Sequence, residues 1–381
     1  MTEKTIRRLK IENFKSIDSL EVKGLAPFSV FAGANGSGKS NFFDALDFVS
    51  LFVRGGLEIA LRAHGGFENI RSRKREGEDA KTFSFEIECD LLEQQEIYYS
   101  LSINDFDSEP GIRECLELDK EQTLEGKGDK GEIDAVGERL VVSEDRISYE
   151  DRIYSNLSLE HRNHPLTKLL RNLNVYRIDS TGAKEPDKPD FDSTQLGSKG
   201  NNLASVLHRL EGDEAIREEI QDWMEVIVPG IEKVQTEHQR LDGRTALRFK
   251  EEGIESPFPA HLVSDGTMYA LCLLVAVLDV PSGCGMALIE EPERGLHPKA
   301  IYELIDLMRQ QASPENPIWL TTHSESVVRV LNLRELVLVD KVDGSTKMKQ
   351  ADAGNISQED LNPLSLDEVW LSNLLAGGLP W

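Results

Sequence analysis

The segment GANGSGKS, Gly33–Ser40, constrains the fold of this chain more than any other. It matches GxxxxGK[ST], follows the apolar segment FSVFA and precedes the apolar helical segment SNFFDALDFVSLFV. A glycine-rich loop between a strand and a helix places backbone N–H groups and the helix N-terminus around phosphate oxygens. Lys39 is expected to reach the terminal phosphates, and Ser40 to hold Mg²⁺. The alternative is a turn that only connects strand and helix, so the phosphate site requires this strand to lie in an α/β sheet.

The predicted nucleotide-binding residues are the loop and the start of the helix that follows it. They are Gly33, Asn35, Gly36, Ser37, Gly38, Lys39, Ser40 and Asn41.

Composition argues against several classes of protein. The 381 residues include 43 Lys and Arg against 68 Asp and Glu, a formal net charge of −25. Such a surface is not expected to bind nucleic acid along its whole length, so that contact would need a local basic patch. The four cysteines form no CxxC pair, and neither a signal peptide nor a membrane-spanning segment is visible. We therefore expect a cytoplasmic protein with no membrane partner.

Polar side chains mark two later strand ends and one helix start. The strand ALIEE ends in Glu290 and Glu291, IWLTTH ends in His323, and Ser264 precedes the apolar helix MYALCLLVAVL as an N-cap. Adjacent carboxylates repel each other at a buried strand end, but a bound Mg²⁺ would compensate. Because side chains alternate along a strand, the two carboxylates should point to different faces. Taken alone, SDGT is typical of an ordinary capped helix.

The ordered motifs KIENFKSI, GANGSGKSN, SDGT, IEEPERGLHP and TTHS resemble the RecF/SMC branch of the ABC-type ATPases, especially the OLD-like bacterial ATPases. The resemblance covers most of residues 1–60 and 195–345. It implies an α/β fold: a P-loop ABC-type ATPase core with a RecF/SMC-like mixed sheet and flanking helices, an inserted antiparallel β-rich lobe and a helical segment.

The predicted division follows these motifs and the apolar patterns. It assigns residues 1–80 to the N-terminal half of the core, 81–194 to an acidic β-rich lobe, 195–260 to a helical segment, 261–345 to the C-terminal half of the core, and 346–381 to a C-terminal tail.

The resemblance also implies chemical roles, with ATP and Mg²⁺ as cofactors. Ser40 and Glu290, in the Walker B place, would hold the metal. Glu291 would be the base that polarises the attacking water, and His323 would sense the γ-phosphate. Relatives most often have Asp at the position of Glu290, and the longer side chain predicts slow hydrolysis.

A signature segment, Ser264, Asp265 and Gly266, would act in trans on the nucleotide of a second copy. The resemblance therefore implies a homodimer or a higher homo-oligomer. The sequence SDGT, rather than SGGQ, separates the chain from transporter ATPases. Gln94 and Gln95 are candidates for the Q-loop glutamine of such enzymes, but solvated turn residues explain them equally well.

Three further features have structural explanations. The basic cluster RSRKR, Arg71–Arg75, is a candidate contact for DNA or for a partner's phosphate, or a solvated charge run balanced by EGED. Asp340 and Asp343 resemble TOPRIM acids, but a strand that enters an Asp-Gly turn explains them. Trp370 and Trp381 are expected to be packing anchors.

The expected function is that of a slow ATPase that dimerises around ATP and couples its nucleotide state to a partner. That partner would be a separately encoded nuclease or toxin, in bacterial anti-phage defence or DNA maintenance. Two alternatives stay open: a RecF-like repair clamp that binds DNA directly, and a non-hydrolysing scaffold that uses ATP to hold its oligomer together.

Overall fold

The structure of the chain is a computed structural model. It describes residues 6–73, 81–90, 96–104, 111–118, 139–146, 155, 157–158, 162–189, 191–279, 284–351 and 364–379. Some residues discussed above lie outside these ranges: Lys74, Arg75, Gln94, Gln95 and Trp381.

The strands are β1 Ile6–Phe14, β2 Ile17–Leu25, β3 Phe28–Ala32, β4 Thr82–Asp90, β5 Glu96–Asn104, β6 Gly111–Leu118, β7 Arg139–Arg146, β8 Leu173–Tyr176, β9 Ile231–His238, β10 Thr245–Glu251, β11 Phe258–Pro259, β12 Met286–Glu290, β13 Ile318–Thr322, β14 Leu336–Val342 and β15 Ser345–Gln350. The α-helices are α1 Lys39–Gly55, α2 Leu57–Ala63, α3 Phe67–Ile70, α4 Pro165–Arg171, α5 Ser180–Ala183, α6 Leu203–Leu210, α7 Glu214–Ile227, α8 Asp265–Leu278, α9 Pro298–Gln311, α10 Glu325–Val328 and α11 Leu366–Leu371.

A mixed core sheet carries the predicted motifs. Its order is β15-β14-β3-β13-β12-β8, in which β15 pairs antiparallel and the other strands pair in parallel. Strand β3 sends Phe28, Val30 and Ala32 into one apolar cluster and Phe31 into another. Burial on both faces explains why these strands read as nearly continuous apolar runs. The predicted α/β fold with a mixed sheet is confirmed.

A second sheet is antiparallel, in the order β2-β1-β4-β5-β6-β7. In β4, Phe83, Phe85 and Ile87 are buried, whereas the residues between them are only partly covered. This alternation is the pattern of a sheet with one face on the core. Because β1 pairs with β4, the sheet runs across residue 80, where the predicted division places a boundary. The division itself stays a prediction.

The segment 195–260 contains more than helices. It begins with α6 and α7 and continues into a small antiparallel sheet of order β11-β10-β9. In β9 only Ile231 and Val234 are buried. The weak apolar alternation that results gives little signal for a strand.

The C-terminal features agree with the structural explanations. Val342 pairs with Ser345 across the turn formed by Asp343 and Gly344, both with positive φ, which confirms the predicted Asp-Gly hairpin. Trp370 is fully buried, and its Nε1 donates to the carbonyl oxygen of Gly378, as expected of a packing anchor. None of the helices in the described part of the chain is both long and apolar enough to span a bilayer.

Candidate nucleotide site

The loop after β3 has the backbone that a phosphate site requires. Gly36 and Gly38 have φ of 79° and 105°, values that strain any residue with a side chain. A Cβ at Gly33 would overlap the carbonyl oxygen of Val339 in the neighbouring strand. These three glycines therefore let the loop close tightly between β3 and α1.

Lys39 lies folded over the loop. Its side chain is nearly buried, and its Nζ donates to the carbonyl oxygens of Gly33 and Ala34 at 2.7 and 2.8 Å. Burial lowers the pKa of Lys39, and nearby carboxylates, Glu291 most of all, oppose that shift. In the part of the chain that the structure describes, the hydrogen-bond acceptors of this ammonium are two backbone carbonyls, which an anionic phosphate could replace.

Other predicted loop residues hold the loop in place. The Asn41 amide donates to Ser16 Oγ at 2.7 Å, which lies 2.7 Å from Thr346 Oγ1. Thr346 in turn donates to the carbonyl oxygen of Ser37 at 3.0 Å. Asn35 is exposed at the tip of the loop. Ser37 and Asn41 therefore connect the loop to Thr346 and Ser16, which hold it in place.

The two predicted metal ligands lie together. Ser40 Oγ donates to Glu290 Oε2 at 3.2 Å, although the residues come from α1 and β12. A hydroxyl and a carboxylate suit Mg²⁺, which prefers oxygen ligands. Among the described residues no group of three or more His, Cys, Asp and Glu could hold a metal. A cation here would therefore take its other ligands from phosphate and water.

Glu290 is the last residue of β12 and Glu291 lies beyond it, so the predicted alternation along a strand does not describe this pair. Glu291 follows the strand with φ of 50°, and its N–H donates to the Thr321 carbonyl at 2.9 Å. Its Oε1 lies 3.2 Å from His323 Nδ1, close enough for an ion pair when the histidine is protonated. The Tyr269 hydroxyl lies within 3.1 Å of both backbone carbonyls of the acid pair. The predicted base and the predicted γ-phosphate sensor therefore face each other.

The signature segment begins α8. Ser264 caps the helix, accepting from the Thr267 N–H at 3.1 Å, and a Cβ at Gly266 would overlap the carbonyl oxygen of Gly295. The Asp265 side chain is 72% exposed and accepts from Lys184 Nζ at 2.5 Å. Within the described ranges, no hydrogen bond or ion pair joins residues 264–266 to the loop 33–40. The signature segment thus faces solvent and does not contact the phosphate loop of its own chain.

Comparison with known proteins agrees with this geometry. The sequence model of a family described as "AAA domain, putative AbiEii toxin, Type IV TA system" matches residues 28–329. The chain belongs to this family. The ATPase is also 19% identical over 362 residues to a protein of Helicobacter pylori (strain ATCC 700392 / 26695) named "ATP/GTP phosphatase", covering 86% of this chain and 87% of that protein.

Two solved SMC structures share the fold. One is the SmcHead bound to the C-winged helix domain of ScpA, at a TM-score of 0.59 and 17% identity, over 91% of this chain and 97% of that one. The other is the Smc head domain with an extended coiled coil, bound to the C-terminal domain of ScpA and derived from Pyrococcus furiosus. Its TM-score is 0.57 at 14% identity, over 91% and 96%. The prediction of a nucleotide-binding, ABC/SMC-like ATPase is confirmed.

Three polar residues of the ATPase site, Arg177, Asp44 and Glu293, were not predicted from the sequence. Arg177, directly after β8, donates from Nε and Nη2 to Glu290 Oε1 at 3.0 and 2.8 Å. Its Nη2 also donates to Asp44 Oδ1 at 2.6 Å. Burial opposes ionisation of Asp44, but Arg177 and Lys15 outweigh it and lower the Asp44 pKa. The available signal was a strand-like segment, LNVY, followed directly by a charged residue, Arg177.

The third missed residue is Glu293. Its Oε1 accepts from Thr322 Oγ1 at 2.6 Å, and the Thr322 carbonyl accepts from the Gly33 N–H at 3.3 Å. Burial raises the pKa of Glu293, which has one oxygen without a hydrogen-bond partner among the described residues. A partly buried acid with one enclosed oxygen therefore lies behind the phosphate loop, and its signal was the third carboxylate in IEEPE.

Proposed function

We propose that this ATPase binds Mg·ATP at Gly33–Ser40 and hydrolyses it slowly between two copies of the chain. The observation that carries the proposal is the convergence of two pairs beside the phosphate loop. Ser40 contacts Glu290, and Glu291 faces His323. One pair suits a metal, and the other suits a water next to a γ-phosphate. The curated relative named for ATP and GTP supports testing both nucleotides.

The loop would bind the phosphates and release Lys39 from its own carbonyls. Backbone N–H groups and the N-terminus of α1 favour an anion, and Lys39 Nζ would exchange Gly33 and Ala34 for phosphate oxygens. Ser40 and Glu290 would hold Mg²⁺, which neutralises phosphate charge when bound. These residues thereby orient the γ-phosphate toward the end of β12.

Glu291 would then act as the base. It would orient a water for attack on the γ-phosphorus and take up the proton that the water loses. The bond between the γ-phosphorus and the bridging oxygen breaks, and ADP and phosphate leave. His323, 3.2 Å from Glu291 Oε1, would donate to a γ-phosphate oxygen. We propose slow turnover because both carboxylate oxygens of Glu290 already have partners, Arg177 and Ser40.

A second copy would complete the site. Ser264, Asp265 and Gly266 would cover the γ-phosphate bound by the partner copy, which gives at least a homodimer. The exposure of Asp265 supports this, as does Leu262, which is 66% exposed just before the segment. An exposed leucine two residues before an exposed signature segment is compatible with an interface that forms around nucleotide.

The test combines two variants with one control. Lys39→Ala should weaken ATP affinity about tenfold or more, since it removes a charged hydrogen bond to phosphate. Glu291→Gln should keep ATP affinity, lower turnover about a hundredfold or more, and accumulate an ATP-bound dimer in light scattering. Glu325→Gln, an exposed acid near His323, should behave as the unmodified protein. Unchanged affinity in Lys39→Ala would refute the phosphate site, and full turnover in Glu291→Gln would refute the base.

We also propose that nucleotide state is coupled to a separately encoded effector, a nuclease or toxin, in anti-phage defence or DNA maintenance. The family description, which names a toxin, supports this, as do the SMC heads, which are bound to ScpA domains. Copurification with the product of a neighbouring gene should then depend on ATP in Glu291→Gln. In the basic cluster, Arg71 and Arg73 lie 2.8 and 3.8 Å from Glu68, which favours the charge run balanced by acids over a DNA clamp.

A further inference from the structure

The ion pair between Arg177 and Glu290 places a protein cation at the predicted metal site. Strand β8 lies parallel to β12, with Tyr176 in register with Ile289. Arg177 and Glu290 are the next residues along these two strands, so they meet at the same edge of the core sheet. The guanidinium contacts one carboxylate oxygen, and Ser40 contacts the other. Glu290 is therefore neutralised before any metal is bound.

Asp44 gives the guanidinium a second anchor. It lies one turn after Ser40 in α1, so both side chains project from the same face of the helix. Its Oδ1 accepts from Arg177, and its Oδ2 accepts from Lys15 at 2.5 Å. The Arg177 backbone is held as well, because its N–H donates to the Ser198 carbonyl at 2.8 Å. Arg177 can therefore leave Glu290 and still keep a charged partner.

The chemistry of arginine decides what this cation can do. A guanidinium has five donors, no acceptor and a charge that it does not lose in proteins, so it cannot coordinate a metal. It can only compete with Mg²⁺ for the carboxylate. The Arg177 side chain is 37% exposed, which leaves it room to move. Arg177 thus differs in kind from a glutamine, whose carbonyl oxygen could be a ligand.

We propose that Arg177 is a positioning residue that occupies the place of the metal: it holds Glu290 until Mg·ATP arrives and then remains on Asp44. This keeps divalent cations off Glu290 when no nucleotide is present, because a metal without phosphate ligands must displace the guanidinium unaided. The inference rests on the proposed nucleotide site. It adds that the site loads Mg²⁺ together with ATP rather than ahead of it.

The test measures metal binding to nucleotide-free protein, with Arg177→Gln as the variant. Arg209→Gln is the matched control, since Arg209 is 39% exposed and pairs with a buried acid, Asp279, at 2.5 Å. Mn²⁺ is titrated by electron paramagnetic resonance, and Mg²⁺ by its effect on the thermal midpoint. Arg177→Gln and Arg177→Leu, whose side chain offers the metal no oxygen, should both bind Mn²⁺ about five- to tenfold more tightly, as expected for removal of a half-exposed ion pair. A gain in Arg177→Gln alone would mean that the new amide oxygen coordinates the metal, which would refute the inference. Arg209→Gln should match the unmodified protein.

The other outcomes contradict the inference. Unchanged Mn²⁺ affinity in Arg177→Gln would show that the guanidinium does not compete, and weaker binding would show that it organises Glu290 as a ligand. If Arg177→Gln does not fold, Arg177→Lys replaces it: a single ammonium cannot bridge both acids as the fork does, so a smaller gain in Mn²⁺ affinity is expected, and none refutes the inference. The ATP affinities of the unmodified protein and of Lys39→Ala, both measured in EDTA, keep the two proposals apart. Equal affinities in these two proteins would refute the nucleotide site without affecting the result of the Mn²⁺ titration.

Discussion

The two large sheets of this ATPase differ in where their charged residues lie along the strands. Strands of the parallel core sheet are buried on both faces, and Ile318–Thr322 is covered at every position. In the four neighbouring strands β3, β13, β12 and β8, charged residues come at or directly after the strand ends, at Glu290, Glu291 and Arg177, whereas β14 and β15 carry charge within the strand. The antiparallel sheet carries charge along its strands, where Arg8 contacts Glu86 and Glu88 on the next strand. Charge in these four core strands is therefore concentrated at their carboxyl ends, whereas in the antiparallel sheet it is paired locally.

The difference has a simple cause. A parallel sheet needs helices on both faces, and all its carboxyl ends meet at one edge. An antiparallel sheet can leave one face in water, where opposite charges on neighbouring strands neutralise each other. Most of the excess acid of the chain lies in residues 85–160. We expect that acid to affect solubility and assembly more than the chemistry of the nucleotide site.

The largest predicted effect is Trp319→Ala in the core sheet. Trp319 is fully buried, stacks on Phe42 of α1 with ring centroids 6.1 Å apart, and contacts Phe31 of β3. The change should lower the free energy of unfolding by about 3–5 kcal/mol and weaken nucleotide binding, because β3 and α1 flank the phosphate loop. Chemical denaturation and nucleotide titration measure the two effects.

Phe85→Ala is the matching change in the antiparallel sheet, where Phe85 is equally buried. It should cost a similar free energy of unfolding and leave nucleotide affinity unchanged. Phe85 and Trp319 belong to the same apolar cluster, so equal losses of nucleotide affinity would mean that a cavity anywhere in this cluster affects the phosphate loop.

The sequence predicted residues whose signal is local and missed those that depend on pairing between distant strands. Lys39 and Ser40 follow from one loop pattern, and Glu290, Glu291 and His323 follow from apolar strands that end in polar residues. Their meeting at one edge requires only that the strands be parallel neighbours. The core strands were predictable for the same reason, since each is a short apolar run.

The role of Arg177 could not be predicted from a local sequence pattern. Its contact with Glu290 depends on the pairing of β8 with β12, and nothing within LNVYR indicates that pairing. Asp44 is one of several polar residues in α1, and only its contact with Arg177 distinguishes it from the others. The strands β9–β11 were missed because a small, partly exposed sheet has weak alternation. In each case the missing information was long-range rather than local.

A pH-dependent prediction concerns the acid behind the phosphate loop. The folded state raises the pKa of Glu293 above its ordinary value of 4.5, so the folded protein binds more protons than the unfolded chain above that pH. Stability therefore falls as the pH rises from about the ordinary carboxyl pKa through the folded value. Glu293→Gln keeps an acceptor for Thr322 and removes the ionisation. The free energy of unfolding of Glu293→Gln, relative to that of the unmodified protein, should therefore increase from pH 5 to pH 8.

Glu325→Gln, which removes an exposed acid, is the control, and it should change the free energy of unfolding by no more than about 0.5 kcal/mol. If the Glu293→Gln difference were the same at both pH values, the carboxyl would ionise normally. Burial would then not raise the pKa of Glu293, and the acids near the ends of the core strands would differ less from those of the antiparallel sheet.

The smallest predicted effect is Arg8→Gln in the antiparallel sheet. Arg8 Nη1 lies 2.8 Å from Glu86 and 3.0 Å from Glu88, and all three side chains are partly exposed. Such pairs contribute little in water, so the change should lower the free energy of unfolding by about 0.5 kcal/mol at low salt and by less at high salt. Urea denaturation at two salt concentrations measures it. Arg177→Gln removes the same group at the edge of the core sheet and should alter metal binding, whereas Arg8→Gln should not. A change in Mn²⁺ affinity in Arg8→Gln would mean that charge in the antiparallel sheet reaches the nucleotide site, because local pairing had failed to screen it.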